Sequence, residues 1–201
     1  APIAATLALI RRGAHDLHLV CVPQSGLQTE LLVGAGAVRT VETAAITLGE
    51  FGPAHRFADA LRAGRIRVLD ATCPAIHAGL QAAEKGLPFM PLRGLIGSDL
   101  VPNRPDWKVI DNPFASEAPA GTNGGPGDPI VLLPAIAPDC ALFHAPLADR
   151  HGNVFIGRND PNHLIGWNSP NIWSRFAGVE GQIFPPKMAS YVAVKLYGPG
   201  H

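Results

Sequence analysis

One carboxylate of this sequence stands between two glycines, in the segment Leu48–Gly52 (LGEFG). An apolar run precedes this segment and a helical pattern follows it, so Glu50 is predicted to lie where a strand ends. Ligands of open α/β sheets bind at that edge. Glu50 is therefore a candidate catalytic residue that could orient a water or a substrate carboxyl, or act as a general base. A solvated turn carboxylate, or a partner of a helix cap, is an equally weighted interpretation.

A second candidate segment is Arg93–Asp99 (RGLIGSD), in which two glycines stand three residues apart. Glycines let backbone amides approach a ligand closely, and the side chains of Ser98 and Asp99 can form hydrogen bonds to it. Gly97 and Ser98 are therefore candidate binding residues. A plain turn would have the same spacing, so the pattern alone leaves both interpretations open.

Several common site signatures are missing from the sequence. Gly34–Gly36 (GAG) lacks the third glycine of a dinucleotide loop, and Ser25 lies in QSG rather than in the G-x-S-x-G turn of serine hydrolases. Two Cys–His pairs are spaced four residues apart: Cys73 with His77, and Cys140 with His144. A metal site would need such groups to converge. Because Cys and His inside apolar runs are usually core or capping residues, no metal site is predicted.

The composition is typical of a folded chain that has no strong electrostatic attraction to a charged partner. Apolar residues make up 47% and charged residues 16%, and 16 basic residues balance 16 acidic ones. We therefore expect no nucleic-acid partner and no membrane association. The apolar start at Ala1 to Leu9 is short and lacks the basic region of a signal peptide. Three widely spaced cysteines are typical of reduced thiols, so a cytoplasmic location is expected.

Strand-like apolar runs alternate with helical patterns along the chain. Helices are predicted at His55 to Ala63 and at Pro74 to Lys85. Strands are predicted at Leu17 to Val22, Glu42 to Leu48, Arg67 to Asp70, Pro129 to Ile136, Cys140 to Leu147 and Tyr191 to Leu196. This alternation predicts an α/β fold with an open, mainly parallel sheet. Two Pro-, Gly- and Asn-rich stretches, Val101 to Asp128 and Asn159 to Pro186, are predicted to be irregular.

The order of segments resembles the A (alpha) subunit of class I coenzyme A transferases, in the branch like glutaconate CoA-transferase. The likeness runs from Ala8 to Arg158 and includes GAGAVRTVETAAITLGEFG, AGLQAAEKGLPFMPLRGLIGSDL and CALFHAPLADRHGNVFIGR. The resemblance implies an open sheet with helices on both faces. It also implies that residues 1–201 are a single domain lacking the family's first strand and its C-terminal end.

The resemblance further implies the activity and its partners. Such subunits act with a separate B subunit, whose glutamate carries coenzyme A as a thioester between two carboxylic acids. Acyl-CoA and carboxylic acids would be the substrates, with no tightly bound cofactor. Glu50 matches a family segment but is not that nucleophile, and Gly97 and Ser98 match a loop facing the active site. The remaining binding candidates, Gln24, Ser25 and Gly26, fall in the polar loop after the family's second strand.

One departure from the family leaves alternatives to CoA transfer open. Related ketoacid transferases have a glutamine as oxyanion donor just before the second helix, where Thr72 and Cys73 stand here. A thiol is a poor donor to an oxyanion. A CoA-ester hydrolase of the ring-cleaving type is therefore an alternative, and a non-catalytic binding or assembly module on the same fold is another.

Overall fold

The computed structural model describes residues 2–22, 24–115 and 127–142, together with short strands at 147–148, 154–155 and 191–195. The chain forms two compact units, the first of Ala1–Cys73 with Pro138–His201 and the second of Pro74–Ala137. The predicted irregular stretch at residues 159–186, and His144, lie outside the described residues. That residues 1–201 are one domain stays a prediction.

The first unit alternates short strands and helices along the chain. Its elements up to residue 70 are α1 (Ile3–Arg11), β1 (Leu17–Val22), β2 (Gln24–Ser25), α2 (Leu27–Gly34), β3 (Val38–Thr43), β4 (Ala45–Ile46), a 3₁₀ turn (Gly49–Phe51), α3 (His55–Arg62) and β5 (Arg67–Asp70). The second unit contains α4 (Cys73–Glu84, which begins one residue before it), β6 (Phe89–Leu92), α5 (Leu100–Asn103), β7 (Lys108–Asp111) and β8 (Pro129–Pro134). The remaining strands are β9 (Cys140–Leu142), β10 (Leu147–Ala148), β11 (Val154–Phe155) and β12 (Tyr191–Lys195).

The main sheet has the strand order β5-β3-β1-β12-β9. β1, β3 and β5 are parallel neighbours, whereas β12 pairs antiparallel with both β1 and β9. Each parallel pair is joined by a helical crossover, α2 between β1 and β3 and α3 between β3 and β5, as parallel strands require. The predicted α/β fold is confirmed, with the parallel arrangement located in its N-terminal half.

One face of this sheet carries the core of the first unit. Leu17, Leu19 and Cys21 alternate along β1 and point to that face, where the helices α1, α2 and α3 pack against it. The alternation follows from the two-residue period of a strand. Residues from the other elements complete the core: Leu9, Ile10, Leu32, Val33, Val38, Val41, Phe57 and Ala60.

A buried carboxylate joins α2 to α3. Glu30 is 6% exposed, and its two oxygens accept hydrogen bonds from the backbone N–H groups of Arg56 (2.7 Å) and Phe57 (3.0 Å). These groups lie in the first turn of α3, where no intrahelical acceptor is available and the helix dipole favours negative charge. Glu30 therefore serves as the cap that α3 lacks in its own sequence, since Ala54 stands at its N-cap.

The second unit is built on an antiparallel sheet with the strand order β6-β8-β7. Val131 and Leu133 of the central strand are buried. The amide of Ile136 donates to the carbonyl of Gly79 in α4 at 2.9 Å, which links the chain after β8 to the helix. A central strand of an antiparallel sheet can also be a continuous apolar run, so the expectation that residues 129–136 join a parallel sheet was wrong.

The prediction of an irregular stretch over residues 101–128 needs a correction. The structure places the end of α5 and the whole of β7 inside it, and β7 pairs with β8 over four residues. All four residues of β7 are exposed. Their side chains therefore carry no alternation of buried and exposed positions that would indicate a strand.

Two other elements, the second parallel strand and the helix α2, differ from the prediction. The second parallel strand begins at Val38 rather than Glu42, because exposed Arg39 interrupts its apolar pattern. The helix α2 was not predicted, because its buried residues Gln28, Thr29 and Glu30 are polar, which hides an apolar face. Across the part of the chain that the structure describes, none of the helices has the length and apolar character to cross a membrane.

Replacing Glu30 by glutamine should loosen the α2–α3 contact. An amide offers one acceptor oxygen in place of two, so one of the two backbone donors of α3 loses its partner. We expect the free energy of unfolding to fall by about 1–3 kcal/mol in urea titrations. Asp59→Asn, which removes an exposed ion pair with Arg62 on α3, is the control and should cost under about 0.5 kcal/mol. Equal effects of the two substitutions would show that Glu30 is not the cap.

Candidate functional site

Two predicted site segments meet at the carboxyl edge of the parallel strands. β1 and β3 each lead into a two-residue strand, and these strands, β2 and β4, pair in parallel with Gln24 opposite Ala45 and Ser25 opposite Ile46. The amide of Thr47 then donates to the carbonyl of Ser25 at 3.0 Å. The structure thus brings the Gln24–Gly26 segment beside the segment that leads into Glu50.

The approach of these two segments depends on Gly26. A Cβ atom at this position would lie 2.8 Å from the carbonyl oxygen of Thr47, closer than non-bonded contact allows. Gly26 is also the residue immediately before α2. The glycine that the sequence placed in a polar loop is therefore required by a close backbone approach.

The side chain of Ser25 is directed into the protein. Ser25 is 1% exposed, and its Oγ accepts a hydrogen bond from the Oγ1 of Thr29 at 2.7 Å. A ligand at this edge would therefore meet the backbone of the turn before it meets the Ser25 hydroxyl. The sequence suggested Ser25 as a binding residue, and the geometry gives its side chain an anchoring contact.

Beneath this turn lies a group of four buried polar side chains, Cys21, Ser25, Thr29 and Thr43, which we call the thiol–hydroxyl cluster. Thr29 Oγ1 is 3.8 Å from the Cys21 sulfur, and the hydroxyls of Thr29, Thr43 and Ser25 each act to lower the pKa of the thiol. Burial nevertheless raises the pKa of the Cys21 thiol to about 11. The thiol is therefore protonated at neutral pH and suits packing and hydrogen bonding rather than nucleophilic attack.

Sequence reasoning missed Thr29 and Thr43 as part of this edge. Thr43 ends β3, and its hydroxyl donates to the carbonyl of Ala45 at 2.8 Å. Thr29 lies in a helix that was itself not predicted. The available signal was spacing, because Thr29 follows Ser25 by four residues and would face it once a helix begins at residue 27.

Glu50 lies in an exposed 3₁₀ turn that is closed by its own backbone. The amide of Leu48 donates to the carbonyl of Gly52 at 3.2 Å, and both Gly49 and Gly52 have positive φ, 65° and 101°. Among the described residues, none forms a hydrogen bond or ion pair with the Glu50 carboxylate, and the adjacent Phe51 is 85% exposed. The role of Glu50 stays a prediction, since both of its interpretations fit an exposed turn.

The other two candidates, Gly97 and Ser98, belong to the second unit. They end a turn after β6 in which Gly97 has a φ of 80°. The Oγ of Ser98 donates to the carbonyl of Leu95 at 2.7 Å, and the amide of Ser98 donates to the same oxygen at 3.1 Å. The hydroxyl oxygen of Ser98 can still accept a hydrogen bond, so the turn keeps one polar atom for a ligand.

An ion pair links Arg93, at the start of this turn, to Asp128, immediately before β8. The guanidinium of Arg93 forms a bidentate contact with the carboxylate of Asp128, with Nε donating to Oδ1 at 2.9 Å. The side-chain amide of Asn112 donates from Nδ2 to Oδ2 of Asp128 at 2.7 Å. The hydrogen bond from Arg93 is the main cause that lowers the pKa of Asp128, and Asp128 in turn raises the pKa of Arg93. Sequence reasoning had no signal for this contact, because Arg93 and Asp128 are 35 residues apart.

The described residues hold no group of three or more His, Cys, Asp or Glu side chains that could bind a metal ion. His77 lies within α4, and burial lowers its pKa. His144 and His151 lie outside the described residues, so the pairing of Cys140 with His144 has no structural account.

Comparison with known proteins gives two kinds of sequence relative. The chain is 35% identical over 159 residues to the A subunit of 3-oxoadipate CoA-transferase from Pseudomonas knackmussii, covering 77% of this chain and 52% of that protein. It is 33% identical over 166 residues to the IpdA subunit of the cholesterol ring-cleaving hydrolase from Rhodococcus jostii, covering 80% of this chain and 52% of that protein. No family model matches the sequence. The chain thus spans about half the length of these curated relatives.

Two solved structures share the fold. The first is a variant of the decarboxylase AibA/AibB, with a TM-score of 0.63, 30% identity and coverage of 77% of this chain and 55% of that one. The second is glutaconate coenzyme A-transferase from Acidaminococcus fermentans, with a TM-score of 0.56, 28% identity and coverage of 67% and 44%. The relatives therefore share a fold and differ in the reaction that their names state.

Replacing Gly26 by alanine should strain the edge of the sheet. Since the added Cβ meets a backbone oxygen, the β2–β4 pair must shift, and the free energy of unfolding should fall by about 1–3 kcal/mol in urea titrations. Gly94→Ala is the matched control, because a Cβ there meets nothing within 4 Å. It should change the free energy by less than about 0.5 kcal/mol. A Gly26→Ala variant as stable as the control would contradict the close approach.

The Arg93–Asp128 contact predicts a pH dependence with a definite sign. Because the folded-state pKa of Asp128 is lowered, its contribution to stability is present above the ordinary aspartate pKa and is lost as the pH falls through the lowered value. Arg93→Gln should move the pKa of Asp128 upward, as measured by NMR titration of its side-chain carboxyl carbon. Arg65→Gln, at an exposed position in the first unit, should leave it unchanged. A pKa of Asp128 that is the same in both variants would show that the ion pair does not form in solution.

Proposed function

Because this chain belongs to the class I coenzyme A transferase family, among its A subunits, we propose that it works in an enzyme that transfers coenzyme A between carboxylic acids. Its partner in this proposal is a B-type subunit, which supplies the glutamate that carries coenzyme A as a thioester. Acyl-CoA and carboxylic acids are the substrates. Since this chain spans only about half the length of these relatives, the proposal concerns a complex rather than these residues alone.

The observation that carries the proposal is the pairing of β2 with β4 at the carboxyl edge of the sheet. It sets the Ser25–Gly26 turn beside the turn that holds Glu50, on the edge where open α/β sheets bind ligands. The exposed carboxylate of Glu50 and exposed ring of Phe51 leave this edge free to face substrate and partner. Backbone N–H groups of such a turn suit an oxyanion that forms when a thioester carbonyl is attacked.

The residues of this chain then have supporting roles. Gly26 lets the two turns approach, and Ser25 anchors the first turn through its buried side chain. Glu50 orients a water or the substrate carboxyl at the edge. Gln24 begins the first turn. In the second unit, Gly97 and Ser98 form a separate candidate binding turn with one hydroxyl acceptor. The proposed location of the complex is the cytoplasm, where thiols stay reduced, because the three cysteines Cys21, Cys73 and Cys140 are free thiols.

A second candidate function is hydrolysis of a CoA ester in the same complex. The similarity to the IpdA subunit of a ring-cleaving hydrolase favours it. So does the start of α4, where Thr72 and Cys73 stand in place of an amide donor. In a hydrolase, Glu50 would act as general base on a water rather than orient a carboxyl group.

Product analysis separates the two reactions. The chain is purified with its partner subunit and given acyl-CoA with and without a second carboxylic acid. Transfer predicts a new acyl-CoA only when the acid is present, and borohydride or hydroxylamine should trap a glutamate of the partner as an adduct. Release of free coenzyme A without an adduct would contradict transfer and favour hydrolysis. Failure to bind or turn over any CoA ester would contradict both and leave the assembly-module interpretation.

Replacing Glu50 by glutamine tests its role in either reaction. The change keeps the shape and removes the charge, so turnover should fall roughly 100-fold or more if the carboxylate acts on water or substrate. Steady-state rates of the purified complex measure it, with size-exclusion chromatography to show that the complex assembles. Glu84→Gln, at the end of α4, is the control and should retain activity.

An unchanged rate in an assembled Glu50→Gln complex would remove Glu50 from the site and make it a solvated turn residue. A complex that no longer assembles would instead place Glu50 at the subunit interface. The turn at Gly97 and Ser98 would then be the stronger candidate for contact with substrate.

A further inference from the structure

The thiol–hydroxyl cluster contains a side chain that no part of the proposed mechanism uses. Thr29 is fully buried and donates from Oγ1 to the Oγ of Ser25 at 2.7 Å. The same hydroxyl lies 3.8 Å from the sulfur of Cys21, inside the core of the first unit. Thr29 thus connects the Ser25–Gly26 turn to both α2 and β1.

We propose that Thr29 is a positioning residue of the candidate site, and that its hydrogen bond to Ser25 sets the orientation of the Ser25–Gly26 turn. The proposal rests on the proposed function, because that function makes the turn a substrate-binding segment. Thr29 itself is buried and would touch no substrate. It would act through Ser25.

The contacts of the turn explain why one hydroxyl matters. The carbonyl of Ser25 accepts from the amide of Thr47, which fixes the turn within the plane of the β2–β4 pair. Gly26 has no side chain and packs directly against the Thr47 carbonyl. The Ser25 side chain is therefore the part of Ser25–Gly26 that reaches into the core, and Thr29 is its partner there.

The chemistry of the cluster also favours a role in orientation. Valine has nearly the shape of threonine, and an apolar side chain would suit a position among buried residues without requiring a hydrogen bond. A threonine at this position instead adds a directional contact, which specifies one geometry for the turn. The raised pKa of Cys21 keeps its thiol neutral, so the cluster places no charge under the turn.

A second threonine of the same unit provides a matched control. Thr6 is also fully buried, and its Oγ1 donates to the carbonyl of Pro2, four residues earlier, at 3.0 Å. It lies in α1, outside the thiol–hydroxyl cluster. Thr6→Val therefore removes a buried hydroxyl and one hydrogen bond without touching Ser25.

The experiment compares Thr29→Val, Thr29→Ser and Thr6→Val in the full chain purified with its partner subunit. Amide hydrogen exchange at Thr47 reports the bond to the Ser25 carbonyl, and steady-state kinetics with an acyl-CoA report substrate binding. For Thr29→Val we expect exchange at Thr47 to rise by about tenfold and KM to rise roughly fivefold, with kcat little changed. Thr29→Ser keeps the hydroxyl and should restore both values.

A purely structural role would give a different pattern. Thr6→Val should lower the fraction of active complex, and hence the apparent kcat, while KM stays constant. Thr29→Val would behave in the same way if its hydroxyl served stability alone. That result for Thr29→Val overturns the proposal, as does unchanged exchange at Thr47. A wild-type complex that is inactive on CoA esters overturns the proposed function, and the exchange rates then decide alone whether Thr29 holds the turn.

Discussion

The backbone of Gly26 passes so close to the carbonyl oxygen of Thr47 that no side chain fits between them. This approach lets β2 pair with β4. The pairing brings the Ser25–Gly26 turn and the Glu50 turn together at the carboxyl edge of the parallel strands. The remainder of the first unit supports the same edge. The parallel order of β1, β3 and β5 directs successive strand ends to it, and the crossover helices α2 and α3 return the chain each time.

Buried polar groups help to determine the geometry near this edge. Glu30 ties α2 to the first turn of α3, and the hydroxyl of Thr29 ties the start of α2 to Ser25 and to Cys21 of β1. Each of these groups would be costly to bury without a partner, so each makes one arrangement of helix and strand more favourable than its alternatives. The helix α2 is thus held at both its start and its middle by polar contacts, while its apolar side chains Leu32 and Val33 fill the core.

The sequence was informative where burial imposes a clear period. β1 and β5 were predicted with the bounds that the structure has, and α3 and α4 within one residue at each end. Parallel strands and crossover helices of this kind can be recognised from apolar runs and from the glycines that end them. The order of segments also carried the family resemblance, which the relatives confirm.

Elements whose stability comes from distant or polar contacts could not be predicted from local pattern. β7 is exposed along its whole length and exists because it pairs with β8. α2 buries three polar residues, one of which is Glu30. The hydrogen-bond partners of Glu30 are the backbone N–H groups of Arg56 and Phe57, which lie 26 and 27 residues further along the chain. Of the site candidates in the first unit, Glu50 was predicted from its glycine-flanked segment, and Gln24, Ser25 and Gly26 from the family resemblance. The roles of all four stay predictions. Thr29 and Thr43 were missed, since a threonine that positions another residue has the same appearance in a sequence as one that fills space.

The central claim is that the edge formed by the Ser25–Gly26 turn and the Glu50 turn binds the CoA ester. A crystal structure of the chain with its partner subunit and a non-hydrolysable acyl-CoA analogue tests this most directly. We expect the acyl carbonyl of the analogue within hydrogen-bonding distance of the backbone at residues 25–27, with Glu50 facing the same group. An analogue bound with its acyl carbonyl away from both turns would contradict the account.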